Sequence, residues 1–188
     1  LAGPVTAAAV ILDPTHIPEG LNDSKLLSEK QRERLYSLII NSSVVSVVHV
    51  SVEDIDRLNI LQASLLAMRR AAEALEITPD YALIDGNQIP QDFLCPATAV
   101  VKGDNKCVSI AAASIVAKIS RDRLMKALGN ENPGYGWEKN AGYPTKKHLS
   151  ALRHLGVSPH HRHSFKPVYN MLYPKNISKF KINTKIWC

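Results

Sequence analysis

The run Pro4 to Leu12 (PVTAAAVIL) holds nine residues without a charge, and only Thr6 among them carries a polar side chain. It is shorter than an average helix of about 11–12 residues. It also lacks the polar-apolar alternation of a strand with one wet face, so it predicts a central strand covered on both faces. Such a strand requires helices above and below it, and the remaining chain is patterned to provide them. Ser28 followed by Gln31 forms a capping-box signature for a helix to about Ile40, with Leu35, Leu38 and Ile39 on one face. Valine-rich Ser43 to Val52 predicts a second strand. From Glu53 to Glu76, Ile60, Leu61, Leu65, Met68, Ala72 and Leu75 recur at helical spacing and predict one amphipathic helix. Tyr81 to Asp85 and Ala97 to Val101 are two further short strands. Ser109 to Leu128 is a long helix with Gly129 as its C′ residue. Helices over Thr145 to Leu155 and Phe165 to Leu172 complete an α/β layered fold in one domain.

A length of 188 residues fits a single core, and 45% hydrophobic with 21% charged residues excludes a disordered chain. No apolar run reaches the roughly 18–20 residues that cross a bilayer. The start, Leu1-Ala2-Gly3-Pro4, has no charged-then-apolar leader, so a cytoplasmic location is expected. Cys95, Cys107 and Cys188 are odd in number and far apart, which predicts a reducing compartment, two small core residues and one tail residue. The net charge of +6 conceals a division. Residues 1–101 hold 7 basic and 13 acidic side chains (7 − 13 = −6), whereas residues 102–188 hold 16 and 4 (16 − 4 = +12). Solvated helix faces account for some of those lysines but not for the scarcity of acids among them. A positive surface of this kind suits nucleic acid.

Asp85 ends a predicted strand and precedes Gly86, at the strand terminus where open α/β sheets place their sites. Asp104 follows the next strand within Lys102-Gly103-Asp104. If those strands are neighbours, the two carboxylates converge, and a hard cation such as Mg²⁺ or Mn²⁺ relieves their repulsion. The other reading is that each Asp caps a turn. Asn22, Ser24 and Lys25 could present an amide, a hydroxyl and an ammonium to a phosphate, or form an ordinary loop with Asx turns. Lys118 and Arg162 belong to the basic half. Tyr135, Trp137 and Tyr143 lie in a glycine-punctuated loop that either stacks on nucleotides or roofs the core, and one exposed tyrosine would satisfy both readings. Five of seven histidines fall between His148 and His163. They lack cysteine or carboxylate neighbours at zinc-ligand spacing, so phosphate contact or solvation is the expectation. No GxSxG elbow, P-loop or dinucleotide glycine signature supports a small-molecule hydrolase.

Taken together, Leu1-Ala2-Gly3-Pro4-Val5, Leu21-Asn22-Asp23-Ser24-Lys25, Leu58 to Ala63, Leu83-Ile84-Asp85-Gly86-Asn87, Val101 to Asp104, Ser109 to Lys118, Gly142 to Thr145 and His161 to Phe165 resemble bacterial ribonuclease HII, the type 2 ribonuclease H. The resemblance covers residues 1–172, in order and at family-like spacing. It implies a ribonuclease H-like fold, a mixed five-stranded sheet flanked by helices, in a monomer that needs no membrane. It implies hydrolysis of the RNA strand of RNA–DNA hybrids, and of single ribonucleotides embedded in duplex DNA, leaving 5′-phosphate and 3′-hydroxyl ends. Two divalent ions, Mg²⁺ or Mn²⁺, would be held by four carboxylates, with Asp85 resembling the third and Asp104 the fourth. Tyr143 is similar to the family tyrosine that packs on the sugar at the RNA–DNA junction. Asn22, Ser24 and Lys25 match a loop beside the substrate backbone.

The same resemblance marks a departure. In the family, the first central strand carries an Asp-Glu pair followed by a Gly-Arg-Gly turn, and the chain as given starts after that point. The expectation is therefore a catalytic domain over 1–172 that lacks its first central strand and is weakly active or inactive as it stands. A catalytically inert nucleic-acid-binding module is the alternative. Residues 173–188 form a basic tail, read as poorly ordered or as an extra nucleic-acid contact.

Overall fold

A computed structural model describes residues 1–174, so all but the first two residues of the expected tail lie outside the described residues. The run predicted as a central strand is β1 (Val5–Leu12), but among the described residues it has one paired neighbour rather than two, and only Ala7 within it is buried. It runs antiparallel to β2 (Ser43–Val50), from Val5 opposite Val50 to Leu12 opposite Ser43. Its two faces are both covered. Val5, Ala7 and Ala9 pack with Ala63, Ala67 and Ala71 of α3 (Ile60–Glu73). The alternate residues Ala8, Val10 and Leu12 pack against Leu35 and Ile39 of α1 (Glu29–Ser42), and against Ala112, Ile115 and Val116 of α4 (Val108–Glu131). This alternation is the period-2 geometry of a strand between two helical layers.

Side-chain size explains which helix faces are used. The periodicity pointed to the large residues of α3, yet Ile60 and Leu61 are exposed while the alanines are fully buried. Alanine on the helix meets alanine on the strand, which allows a closer approach than leucine would. The predicted single helix over Glu53 to Glu76 is two, α2 (Val52–Leu58) and α3. Asn59 separates them with φ +70, and its side-chain oxygen accepts from the Leu61 and Gln62 amides. Asparagine tolerates this left-handed conformation and starts the next helix. In α1 the capping box is present: Gln31 N–H donates to Ser28 Oγ (3.3 Å) and Ser28 N–H to Gln31 Oε1 (2.9 Å). Leu35 and Ile39 are buried there, but Leu38 turns partly to solvent.

The second ladder is parallel, β3 (Ala82–Asp85) beside β4 (Ala97–Val100), with Asp85 opposite Val100. A 3₁₀ turn (Gly103–Asn105) leads into α4, and α5 (Trp137–Asn140), α6 (Lys146–Leu155) and α7 (Lys166–Leu172) follow. Gly129 does not end α4 as expected. It lies inside the helix, where a Cβ would sit 2.8 Å from the Glu138 amide, so close helix packing explains it. Cys95 and Cys107 are half-buried rather than core residues, and Cys188 is outside the described residues.

Among the described residues, the five-stranded sheet implied by the resemblance is represented by these two separate ladders. A cleft of about 860 Å³ lies between the ladders. Its walls include every residue from Thr6 to Leu12 and from Tyr81 to Asp85. Successive side chains of a strand point to opposite faces, so contact with consecutive residues means that the cleft runs along the strand edges. Met68 and Ala72 of α3 and Ile110, Ala113 and Ala117 of α4 also line it. The carboxylate-bearing end of β3 opens at this cleft.

Candidate active site

Asp85 and Asp104 are brought together by backbone hydrogen bonding. Lys102 adopts a left-handed conformation (φ +55) that turns the chain after β4 back toward β3. The Gly103 amide then donates to Asp85 Oδ1 at 2.9 Å. Gly103 is constrained from the other side, because a Cβ there would lie 2.5 Å from Ile110 Cδ1. Asp104, the next residue, is buried at 8% exposure, while Asp85 faces solvent. Asp104 Oδ1 accepts from Asn105 Nδ2 (3.2 Å), and Oδ2 lies 3.9 Å from Lys25 Nζ. A carboxylate at this depth whose nearest cation is one exposed lysine is an incompletely compensated charge.

The loop carrying Asn22, Ser24 and Lys25 reaches the same place. Ser24 is buried and its hydroxyl is 3.0 Å from that of Ser114 on α4, which fixes the loop over the carboxylates. Asn22 is exposed. Asp23, absent from the residues singled out by spacing, also belongs here. The Lys25 amide donates to its Oδ1 at 2.9 Å and holds its carboxyl below the usual range, with the Lys25 charge, Asn105 and Asp104 contributing beside it. Its position in a loop gave no periodic signal.

These donors fit a divalent cation. They are all oxygen, and Mg²⁺ is commonly held by one or two carboxylates with water and substrate phosphate completing its shell. Among the described residues, no group of three or more His, Cys, Asp or Glu side chains has metal-binding geometry. Asp85 and Asp104 are two oxygen donors of that kind, with Lys25 Nζ 3.9 Å from Asp104 Oδ2.

The second part of the site is the loop between α4 and α6. Tyr135 and Trp137 are buried and stacked, with ring centroids 4.9 Å apart, whereas Tyr143 is 58% exposed. The Arg121 guanidinium lies 5.5 Å from the Tyr143 ring centroid. Tyr135 and Trp137 thus roof the core, and Tyr143 is the one exposed aromatic of the loop. Around it, Lys139, Lys146 and Lys147 are exposed, as are Lys102 and Lys106 near the carboxylates.

Lys118 is half-buried and its ammonium pairs with Asp122 at 2.8 Å, on the α4 surface. Arg162 is buried, contrary to a surface cation. Its Nε donates to the Gly3 carbonyl (2.9 Å) and Nη2 to that of Pro4 (3.2 Å), and burial, with Arg121 nearby, lowers its pKa to about 10. Arg121, another cation expected on the basic surface, is likewise engaged by backbone: it donates to the carbonyls of Pro4, Ala141 and Ala2, tying the start of β1 to the tyrosine loop. The histidine cluster also divides. His148 and His161 are fully buried in the core, so solvation does not describe them, and His154 and His163 are exposed. Sequence spacing carried no sign of this, because burial of adjacent loop residues depends on the Ala2–His161 bridge to a distant segment.

The family model of ribonuclease HII matches residues 1–168. The chain is 64% identical to a ribonuclease HII of Ruegeria pomeroyi over 92% of its own length and 74% of the relative's. It is 58% identical to one of Roseobacter denitrificans over 94% of its length and 90% of that protein's. Its fold is similar to the crystal structure of ribonuclease H2 from Pyrococcus horikoshii, with TM-score 0.71 and 25% identity across 90% of this chain and 92% of that one. No helix among the described residues is long and apolar enough to cross a membrane. With the carboxylate pair, the basic surface and the exposed tyrosine already in place, the chain belongs to the ribonuclease HII family of metal-dependent endoribonucleases.

Proposed function

We propose that residues 1–172 form one catalytic unit that binds RNA–DNA hybrids, and duplex DNA containing single ribonucleotides, and directs hydrolysis of the ribonucleotide strand to 5′-phosphate and 3′-hydroxyl ends. The observation that carries this reading is the buried Asp104 carboxylate held beside Asp85 through the Gly103 amide, next to an exposed basic surface. Two divalent ions, Mg²⁺ or Mn²⁺, would supply an activated water and stabilise charge on the departing 3′ oxygen. Asp85 and Asp104 would hold them. Lys25, 3.9 Å from Asp104, would be available to the scissile phosphate. Asn22 and Ser24 keep that loop in place, and Tyr143 packs on the sugar at the RNA–DNA junction. Lys118 contributes to the positive field. Arg162 acts at one remove, by holding the Gly3 and Pro4 carbonyls. The protein works as a cytoplasmic monomer.

Two carboxylates provide few ligands for two ions, which favours weak turnover or none by the 188-residue chain itself. The same observation favours an alternative, a binding module without catalysis. The test is incubation with Mg²⁺ or Mn²⁺ and a duplex containing one ribonucleotide, alongside Asp85→Asn. Salt-sensitive binding with slow cutting at the ribonucleotide, abolished in the variant, supports the enzymatic reading. Binding by both proteins with no cutting supports the module, and rapid cutting by the chain contradicts the weak-turnover reading.

A further inference from the structure

Beneath exposed Tyr143 lies a chain of hydrogen bonds whose direction is fixed at both ends. At one end the Ser158 amide donates to His161 Nδ1 at 3.0 Å. An amide can only donate, so Nδ1 is bare and the neutral ring carries its proton on Nε2. That nitrogen faces His148 Nε2 at 3.2 Å, which also accepts from Trp137 Nε1 at 3.0 Å. His148 therefore carries its proton on Nδ1 and donates it to the Tyr143 carbonyl at 2.9 Å. That carbonyl can only accept, so both ends require the same tautomers. Both imidazoles are fully buried, packed edge-on against Trp137. Burial lowers both pKa values, and the Ser158 hydroxyl also lies 2.9 Å from His161 Nδ1, beside the amide.

We propose that His148 is a positioning residue for substrate recognition: its Nδ1–H, oriented by Trp137 and His161, sets the backbone of Tyr143 so that the exposed ring meets the nucleic acid. This rests on reading Tyr143 as a substrate-contacting residue. A core that needed only to be filled would not require two histidines of opposite tautomer. Fully satisfied buried polar networks specify geometry, and this one terminates on the most exposed aromatic of its loop. The Thr145 amide also donates to the Tyr143 carbonyl at 2.8 Å, and the Tyr143 amide donates to Asn140, so His148 completes a backbone clamp around the residue.

The experiment separates the two functions of the imidazole. Asparagine at position 148 places an amide donor near the Nδ1 site but loses the inner acceptor. Glutamine reaches the Nε2 site and keeps that acceptor but loses the donor to Tyr143. Affinity for a fluorescein-labelled RNA–DNA hybrid is measured by anisotropy in metal-free buffer, for the parent, His148→Asn, His148→Gln, Tyr143→Ala and the Gln/Ala double variant. His148→Gln should weaken binding by roughly 3- to 10-fold, the range expected for one lost hydrogen bond. It should add nothing to Tyr143→Ala, and His148→Asn should bind within about two-fold of the parent, inside the scatter of one such bond. If His148→Gln binds like the parent while Tyr143→Ala is weakened, the positioning role is overturned and the tyrosine reading survives. If Tyr143→Ala binds like the parent, both are overturned. A ¹⁵N-detected tautomer measurement on the parent does not depend on the variants folding. Nδ1–H at His148 with Nε2–H at His161 supports the proposal, and Nε2–H at His148 overturns it.

Discussion

Lowering the pH from 7 to 5 should destabilise this protein through His161 more than through any exposed histidine. Burial, with His148 beside it, pushes the His161 imidazole down to about 4. In the unfolded chain the ring returns to its ordinary value near 6.5. Between those values the unfolded state binds a proton that the folded state does not, so stability rises with pH across the window and falls as the solution is acidified. The contribution is complete above about pH 6.5, lost progressively below it, and exhausted near pH 4. The whole displacement corresponds to about 3 kcal/mol, and about 2 kcal/mol of that is lost between pH 7 and pH 5. His161→Asn provides the control, because its side-chain oxygen still accepts from Ser158 while its titration is gone. Urea unfolding at pH 7, 6 and 5 should give a parent curve steeper than the variant's by about 2 kcal/mol over that range. Equal slopes, or a His161 resonance titrating near 6.5, would refute the reasoning.

Other consequences follow from local geometry. Gly142→Ala should lower stability by at least about 2 kcal/mol, since φ is +80 and a Cβ would meet the Ala2 carbonyl oxygen at 2.4 Å; a melting temperature within a degree or two of the parent's would contradict this. Hybrid affinity should fall steeply with salt, and replacing exposed Lys146 and Lys147 by alanine should make the log–log slope shallower by about one to two units. An unchanged slope in anisotropy titrations would remove those residues from the interface.

The layered architecture was legible because its signals are local. The uncharged run of β1, the Ser28/Gln31 box and the Asp85 strand terminus each depend on a few consecutive residues, and each appears close to where patterning put it. What patterning missed depends on distant partners. Alanines displaced larger residues on the inner face of α3 because β1 opposite them is itself alanine-rich. Arg162 looked like a surface cation, but Gly3 and Pro4, more than 150 positions earlier, occupy its guanidinium. His148 and His161 looked like part of a solvated cluster, since nothing in their spacing encodes the Trp137 and Ser158 donors that make them buryable. At the candidate site, Asp85 and Asp104 were recognisable by strand-end placement, whereas Asp23 lay in a loop whose approach depends on a hydroxyl contact between Ser24 and Ser114.

The central claim is that Asp85 and Asp104 jointly hold a divalent cation, and Mn²⁺ titration followed by electron paramagnetic resonance tests it directly. The parent should remove Mn²⁺ from the free signal. Asp85→Asn and Asp104→Asn should each bind at least about ten-fold more weakly, because an amide replaces one of the paired carboxylates with a neutral ligand. Asp85→Asn/Asp104→Asn binding Mn²⁺ as tightly as the parent would contradict the account.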